Sequence, residues 1–266
     1  SLLSEEKMKS LTEVSNFVSD TVNRTPFPYA PYVGSMAFTH KGGMHASAVN
    51  KYVDSYQHMN PEKVGNLSNI TVSELAGRSN VISRLKELDI LDKFNDDDVK
   101  NVTSIIKNKE NNGFSYEVAS ASLELLLKKE KRLTKPPFNL IEYDVRLKST
   151  NLDKENQCTA SIKLSINEIE IEKTAIGNGP VAALDKALRE ALLKFYPSLD
   201  KVKLTDYKVR VVNESEATES IVRVSIESAD DKEVWTTVGA SSNIIEASWM
   251  ALSDSMEWWL IKNIID

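Results

Sequence analysis

The second half of this 266-residue chain is written twice. Thr159-Ala-Ser-Ile-Lys-Leu-Ser-Ile166 aligns with Glu219-Ser-Ile-Val-Arg-Val-Ser-Ile226 at an offset of 60 residues, Gly177 with Gly239 at 62, and Ala187-Leu188 with Ala251-Leu252 at 64. In each copy the hydrophobic period changes in the same order. Apolar residues first alternate through Ile141, Tyr143, Val145 and Leu147, then through Ile162, Leu164 and Ile166, then at Ile169 and Ile171, as in strands with one buried face. After Gly177 they recur at helical spacing, Val181, Leu184, Leu188 and Leu192, until Pro197. The second copy repeats this with Tyr207, Val209 and Val211, then Ile221 to Ile226, then Val234, Thr236 and Val238, and then a helix holding Ile244, Ile245, Ala247, Trp249, Leu252 and Met256. The spacing predicts two βββα units. One three-stranded sheet with a half-exposed face is marginal alone, so the units are expected to pack on each other through helices or sheets. Trp249, Trp258 and Trp259 are too apolar for a free helix face and suggest further burial at a subunit interface.

The first half reads as helical, which makes the whole chain α+β. Ser4-Glu-Glu is a helix start, and Met8, Leu11, Val14, Phe17 or Val18, and Val22 form one apolar face. Pro26, Pro28 and Pro31 then impose an extended connector. Asn60-Pro-Glu caps another start. Helices follow from Ser79, from Asn95 and from Ser115 to about Arg132. The last two are expected to form a helical subdomain, closed by Pro136-Pro137, so the domains are expected at 1–135 (helical accessory subdomains) and 136–266 (the doubled unit).

Composition narrows the function. Residues 1–135 carry 18 basic and 17 acidic side chains, residues 136–266 carry 15 and 22. The acidic second half argues against nucleic acid there, since phosphate contacts need clustered Lys and Arg. No run of about 18 apolar residues suggests a membrane helix, and no secretory leader is visible. The chain begins Ser-Leu-Leu-Ser without Met, which suggests that further residues precede it. A single cysteine, Cys158, excludes an internal disulfide and fits a reducing cytoplasm. It lies in an expected strand and reads as a core residue, not a nucleophile.

Three segments carry chemistry. In Phe38-Thr-His-Lys-Gly-Gly-Met-His-Ala-Ser-Ala-Val-Asn-Lys51, His40 and His45 flank a glycine pair that permits a tight turn before a short helix. Their spacing, the intervening glycines and the lack of a thiolate or nearby carboxylate make a poor zinc site. Arg78, in Val72-Ser-Glu-Leu-Ala-Gly-Arg-Ser-Asn80, could meet an anionic group or pair with a neighbouring acid. Gly177-Asn-Gly-Pro precedes a helix without the Lys-Ser/Thr of a nucleotide loop. The helix N-terminus behind Gly177, Gly179 and Pro180 can hold a carboxylate, and Gly239, Ala240, Ser241 and Asn243 offer the same device in the second repeat. Asp96-Asp97-Asp98 reads as a helix N-terminus and not as a metal site.

These motifs, with Tyr56-Gln-His-Met-Asn-Pro-Glu-Lys-Val-Gly65 and Thr236-Thr-Val-Gly-Ala-Ser-Ser-Asn-Ile-Ile-Glu-Ala-Ser-Trp249, resemble in order the C-terminal half of the bacterial citramalate synthases, within the α-isopropylmalate synthase family. The resemblance implies accessory subdomains followed by a regulatory, dimerising domain. It also implies a TIM barrel elsewhere that holds a divalent metal, a keto acid and acetyl-CoA; nothing in these residues reads as that barrel. In this reading the chain is inactive alone and holds no cofactor or metal. The full reaction condenses acetyl-CoA with pyruvate and hydrolyses the thioester. His45 matches the family's accessory histidine near the active site, and Arg78 is a candidate contact to substrate or CoA. The turns at Gly177–Pro180 and Gly239–Asn243 would bind a branched-chain amino acid, isoleucine ahead of leucine. The same region of a 2-isopropylmalate synthase, and a free-standing amino-acid-binding module, remain open alternatives.

Overall fold

The computed structural model describes residues 4–21, 26–40, 48, 51–52, 59–66, 69–70, 78–116, 119–148, 157–212 and 220–265. The chain divides into two compact units, Ser1–Lys107 and Asn108–Asp266.

In the first unit, α1 (Glu5–Lys9) starts at Ser4, whose side chain accepts from the Lys7 amide, and α2 (Leu11–Thr21) follows directly. The Thr12 hydroxyl donates to the Val64 carbonyl at 2.7 Å, tying α2 to a 3-10 turn at Pro61–Val64 that Asn60 caps. The apolar face expected on α2 remains largely exposed, with Phe17 at 69%. Strands β1 (Thr39–His40) and β2 (Asn69–Ile70) pair in parallel. Helices α3 (Arg78–Glu87) and α4 (Asp96–Asn111) follow, the last turn of α4 lying beyond Lys107. The Asn95 side chain accepts from the amides of Asp97 and Asp98, while Asp98 accepts from the Asn95 amide. The aspartates therefore begin a helix, satisfying backbone donors that a first turn leaves open.

The second unit contains α5 (Ser120–Glu130) and the doubled motif: β3 (Asn139–Lys148), β4 (Gln157–Ile166), β5 (Ile169–Gly177), α6 (Pro180–Leu192), β6 (Lys203–Val211), β7 (Val222–Ala229), β8 (Val234–Ser241) and α7 (Ile244–Leu260). Each triplet of strands is an antiparallel sheet in sequence order. The register slips between Leu140 and Glu142 in one sheet and between Leu204 and Asp206 in the other, so the copies share even their bulges. Along β4, Cys158, Ala160, Ile162, Leu164 and Ile166 are buried, as period-two alternation requires. Helix α6 packs on β4 and β5, α7 packs on β7 and β8, and the two helices touch. One core results, joining Ile162, Leu164, Leu184 and Leu188 to Val224, Ile226 and Leu252.

Two expectations change here. Trp249, Trp258 and Trp259 are 7%, 7% and 3% exposed within one chain, so their burial needs no partner. The Trp258 indole donates to Glu124 at 2.8 Å and that of Trp259 to Asp230 at 2.7 Å, which answers the polar end of each ring. The division of the chain falls at Lys107/Asn108 and not at the proline pair. Helix α5 packs on α7 and β8, and Ala121 and Leu125 join the sheet-domain core, so it forms no subdomain with α4 alone.

Charges fasten α5 to α7. Ser122 donates to Asp254 at 2.8 Å and accepts from the Val238 amide at 3.0 Å, while Lys129 donates to Glu257 at 2.8 Å. Burial pushes the carboxyls of Asp254 and Glu257 above the usual range, with Lys129 opposing the shift. Burial alone would lower Lys129, but Asp254 and Glu257 hold it above its ordinary value. One Glu257 oxygen, Oε1, is buried without a hydrogen-bond partner. A carboxyl with a raised folded-state pKa contributes stability that is fully present below about pH 4 and is lost as pH rises through the folded value. Glu257→Gln removes one such group. Its stability relative to the parent should therefore improve as pH rises from 4 to 8, measured by urea denaturation. A difference that stays constant with pH would contradict this assignment.

Candidate functional site

The two helices of the doubled motif point the same way. Helix α6 leads through a five-residue 3-10 turn, Pro197–Lys201, into the start of β6, and Arg189 near its C-terminus donates to the Val202 carbonyl at 2.6 Å. The start of β6 lies in register with Ala229 and Val234. The C-terminal part of α7 packs at that same end, where Trp235 donates to Ser255 at 3.0 Å and Trp259 reaches Asp230. Both helix C-termini therefore lie at one end of the layers and both N-termini at the other. The N-terminal end also receives the row Leu147–Cys158–Gly177 of the first sheet and the row Val211–Val222–Ser241 of the second. Gly177, Gly179, Pro180, Gly239, Ala240, Ser241 and Asn243 are thus brought to one end of the unit.

Two of these glycines are there for close approach. A β-carbon on Gly177 would lie 2.5 Å from the Ala183 nitrogen, and one on Gly239 would lie 2.0 Å from the Ala247 oxygen. Gly179 differs: nothing lies within 4 Å of a β-carbon built there.

The N-termini themselves are unlike. At α6 no side chain caps the helix and no acid stands in the first turn; Pro180 occupies the first position. Its backbone donors are left to whatever lies in front of them. At α7 the Asn243 side chain accepts from the Ile245 amide at 2.9 Å, and the Ser241 hydroxyl accepts from the Asn243 amide at 3.0 Å while donating to Glu246 at 2.6 Å. This is a capping box relayed through a serine. The second turn is therefore not the same anion-holding device as the first: its donors are taken by its own side chains and it carries a carboxylate. The signal was in the sequence, because Asn243 is followed three residues later by Glu246. The end thus offers open helix donors on one side and Glu246 on the other. Half-buried Val181 and Ile245 and exposed Ile244 supply apolar surface there. Tyr143 stacks on Trp249 with ring centroids 5.7 Å apart, and burial, then Glu246, push its phenol above the usual range.

The remaining candidates are His45, His40, Arg78 and Cys158. His45 and the Gly42-Gly43 turn lie outside the described residues; His40 ends β1. Arg78 begins α3 and forms an ion pair with Asp96, which it holds below the usual carboxylate range. Cys158 is fully buried in the core. Among the described residues no group of three or more His, Cys, Asp or Glu could hold a metal, and no helix is long and apolar enough to cross a membrane.

The model of the LeuA allosteric (dimerisation) domain matches residues 117–260, which take in α5, both sheets and both helices. The chain belongs to that family. The homocitrate synthase post-HMGL domain-like family matches residues 32–113, in front of the domain. The chain is 47% identical over 263 residues to the (R)-citramalate synthase of Aquifex aeolicus, a match covering 98% of this chain and 50% of that protein. It is 42% identical over 262 residues to the (R)-citramalate synthase of Geobacter sulfurreducens, covering 98% and 49%. Identity to the 2-isopropylmalate synthase of Shewanella sediminis is 28% over 247 residues, covering 92% and 44%. The chain spans about half the length of the curated relatives it matches.

The difference between the two turns of the allosteric domain has a direct consequence. Gly179→Asp would add a cap where space is open, and should stabilise the fold by a few tenths to about 1 kcal/mol. Gly239→Ala would force α7 off β8 and should cost about 1–3 kcal/mol or more. Denaturant midpoints of the two variants would check this; a loss of stability in Gly179→Asp would contradict the open N-terminus, and none in Gly239→Ala would contradict the close approach.

Proposed function

We propose that this chain is the accessory and allosteric part of an acyl-CoA condensing synthase, one that forms citramalate and CoA from acetyl-CoA, pyruvate and water and is regulated by isoleucine. The observation that carries the regulatory reading is the pairing, at one end of a LeuA-type allosteric domain, of an uncapped helix N-terminus with a carboxylate-bearing one. A free amino acid has a matching pair of charges. The donors of α6 suit its carboxylate, Glu246 and Ser241 suit its ammonium, and Val181, Ile244 and Ile245 suit an aliphatic tail. The higher identity to citramalate synthases than to the 2-isopropylmalate synthase favours pyruvate as the keto acid and isoleucine as effector.

In the full-length synthase the carbon–carbon bond would form when the enolate of acetyl-CoA adds to the ketone of pyruvate. The family's divalent metal, expected in the barrel, would polarise that ketone. Among the described residues no cluster of ligands suits that metal. His45 is proposed to serve as an acid–base group over the barrel. In the full-length synthase His45→Ala should lower turnover about 10²–10⁴-fold with little loss of stability; an unchanged turnover number would remove it from the mechanism. This chain alone should release no CoA from acetyl-CoA and pyruvate above a protein-free blank.

The same end is proposed to face a second copy of the chain. Leu147, Val209 and Val211 lie near the ends of the first strands of the two repeats and are 61%, 45% and 47% exposed, a doubled apolar edge suited to a two-fold contact. Val211→Asp should shift sedimentation from dimer towards monomer. Gly179→Asp should abolish or weaken isoleucine binding at least about tenfold, because its carboxylate occupies the donors meant for the ligand. Calorimetric binding unaffected by Gly179→Asp would remove α6 from the site.

A further inference from the structure

The Gly113–Phe114 corner after α4 is bound to the outer side of the second sheet beside the candidate effector turn. Arg223 on β7 stands in register with Ala240 on β8. Its Nε donates to the Gly113 carbonyl and its Nη2 to the Phe114 carbonyl, the latter at 3.2 Å. One planar guanidinium thus grips two successive peptide carbonyls, a geometry that a lysine cannot reproduce in full. Gly113 has φ 94°, and a β-carbon there would lie 2.5 Å from Ile221 Cγ2 and 3.4 Å from the Ala240 β-carbon, so the corner is pressed directly onto these strands. The corner is also bound back to α4: Lys109 Nζ, in the last turn of α4, sits 4.6 Å from the centre of the Phe114 ring. Ala240 is followed at once by Ser241, whose hydroxyl relays the cap of α7. Packing and hydrogen bonds therefore run without a break from the α7 cap, through Ala240 and the Gly113–Phe114 corner, to α4.

We propose that Arg223 is a positioning residue for regulation, which holds the Gly113–Phe114 corner against β8 so that a ligand-induced change in the β8–α7 turn is transmitted to α4. The inference rests on the amino-acid effector reading above. It assigns to Arg223 no contact with the ligand: the side chain acts through the corner it grips. Coupling of this kind needs the bound and free states to differ in how the corner sits, because a ligand shifts an equilibrium only by its differential affinity for the two states.

The test is a calorimetric titration of this chain with isoleucine, leucine and valine, joined to amide hydrogen exchange over residues 96–107 of α4 and over β4 as an internal control. The parent chain should bind isoleucine and, on binding, change exchange in α4 by about fivefold or more. Arg223→Gln should leave β4 exchange unchanged and keep isoleucine affinity within about threefold, as for a site without direct contact, while the α4 response disappears. Arg223→Lys, which keeps the positive charge but not the planar fork of donors, should restore part of that response and guards against a variant that merely fails to fold. An α4 response of parental size in Arg223→Gln, or none in the parent despite binding, overturns the coupling role alone. Failure of all three amino acids to bind the parent chain overturns the effector reading, and the coupling role with it. Calorimetry reports that failure separately from exchange.

Discussion

At Gly239 a β-carbon would lie 2.0 Å from the carbonyl oxygen of Ala247, and at Gly177 one would lie 2.5 Å from the amide nitrogen of Ala183. These two backbone-to-backbone approaches set the geometry on which the rest of the second unit depends. With no side chain between them, the first turns of α6 and α7 settle directly on the last residues of β5 and β8. The apolar faces of the helices then reach the alternating inward residues of both sheets, and a single core forms from Ile162, Leu164, Leu184, Ile226 and Leu252. Neither three-stranded sheet could bury its face by itself. The short turn from α6 into β6 then requires the two helices to run in the same direction. Two N-termini, and with them two partial positive charges, are thereby gathered at one end.

Duplication would place like beside like, and two open helix N-termini would attract two anions. The chain departs from that symmetry at the two helix N-termini. Gly179 leaves α6 uncapped, while Ser241, Asn243 and Glu246 close α7 and add a negative charge. The result is a polar end with two signs, suited to a zwitterion.

Much of this was legible in the sequence, for identifiable reasons. Period-two and helical spacing both survive in each copy, so the βββα order, the helix starts after Gly177 and Gly239, and the closing proline at 197 could be read directly. The cap at Asn95 was legible because side-chain and backbone partners are a few residues apart. Longer-range partners were not. The tryptophans looked like interface residues because hydrophobicity shows that a ring must be buried, not by what; Trp258 finds Glu124 across 134 positions in the chain. The boundary at Pro136-Pro137 was a local stop signal, whereas the allegiance of α5 is decided by Asp254, Glu257 and the edge of β8. Arg78 illustrates the same limit: its type allowed either an anionic ligand or an acid nearby, and the structure supplies Asp96.

The placement of α5 also bears on how a domain of this kind can regulate anything. An edge strand such as β8 offers open backbone groups to any passing chain. Here the Val238 amide is answered by Ser122, and the same hydroxyl reaches Asp254 on α7. Helix α5 is therefore bonded at once to the strand that ends in the second glycine turn and to the helix that begins there. Its attachment is not a neutral one. Two acids share Lys129, and one buried carboxylate oxygen has no hydrogen-bond partner. Burying such a group costs desolvation that the pairing with Lys129 has to offset. The second unit thus combines two close glycine contacts, which seat the helices on their sheets, with a charged attachment of α5 to α7.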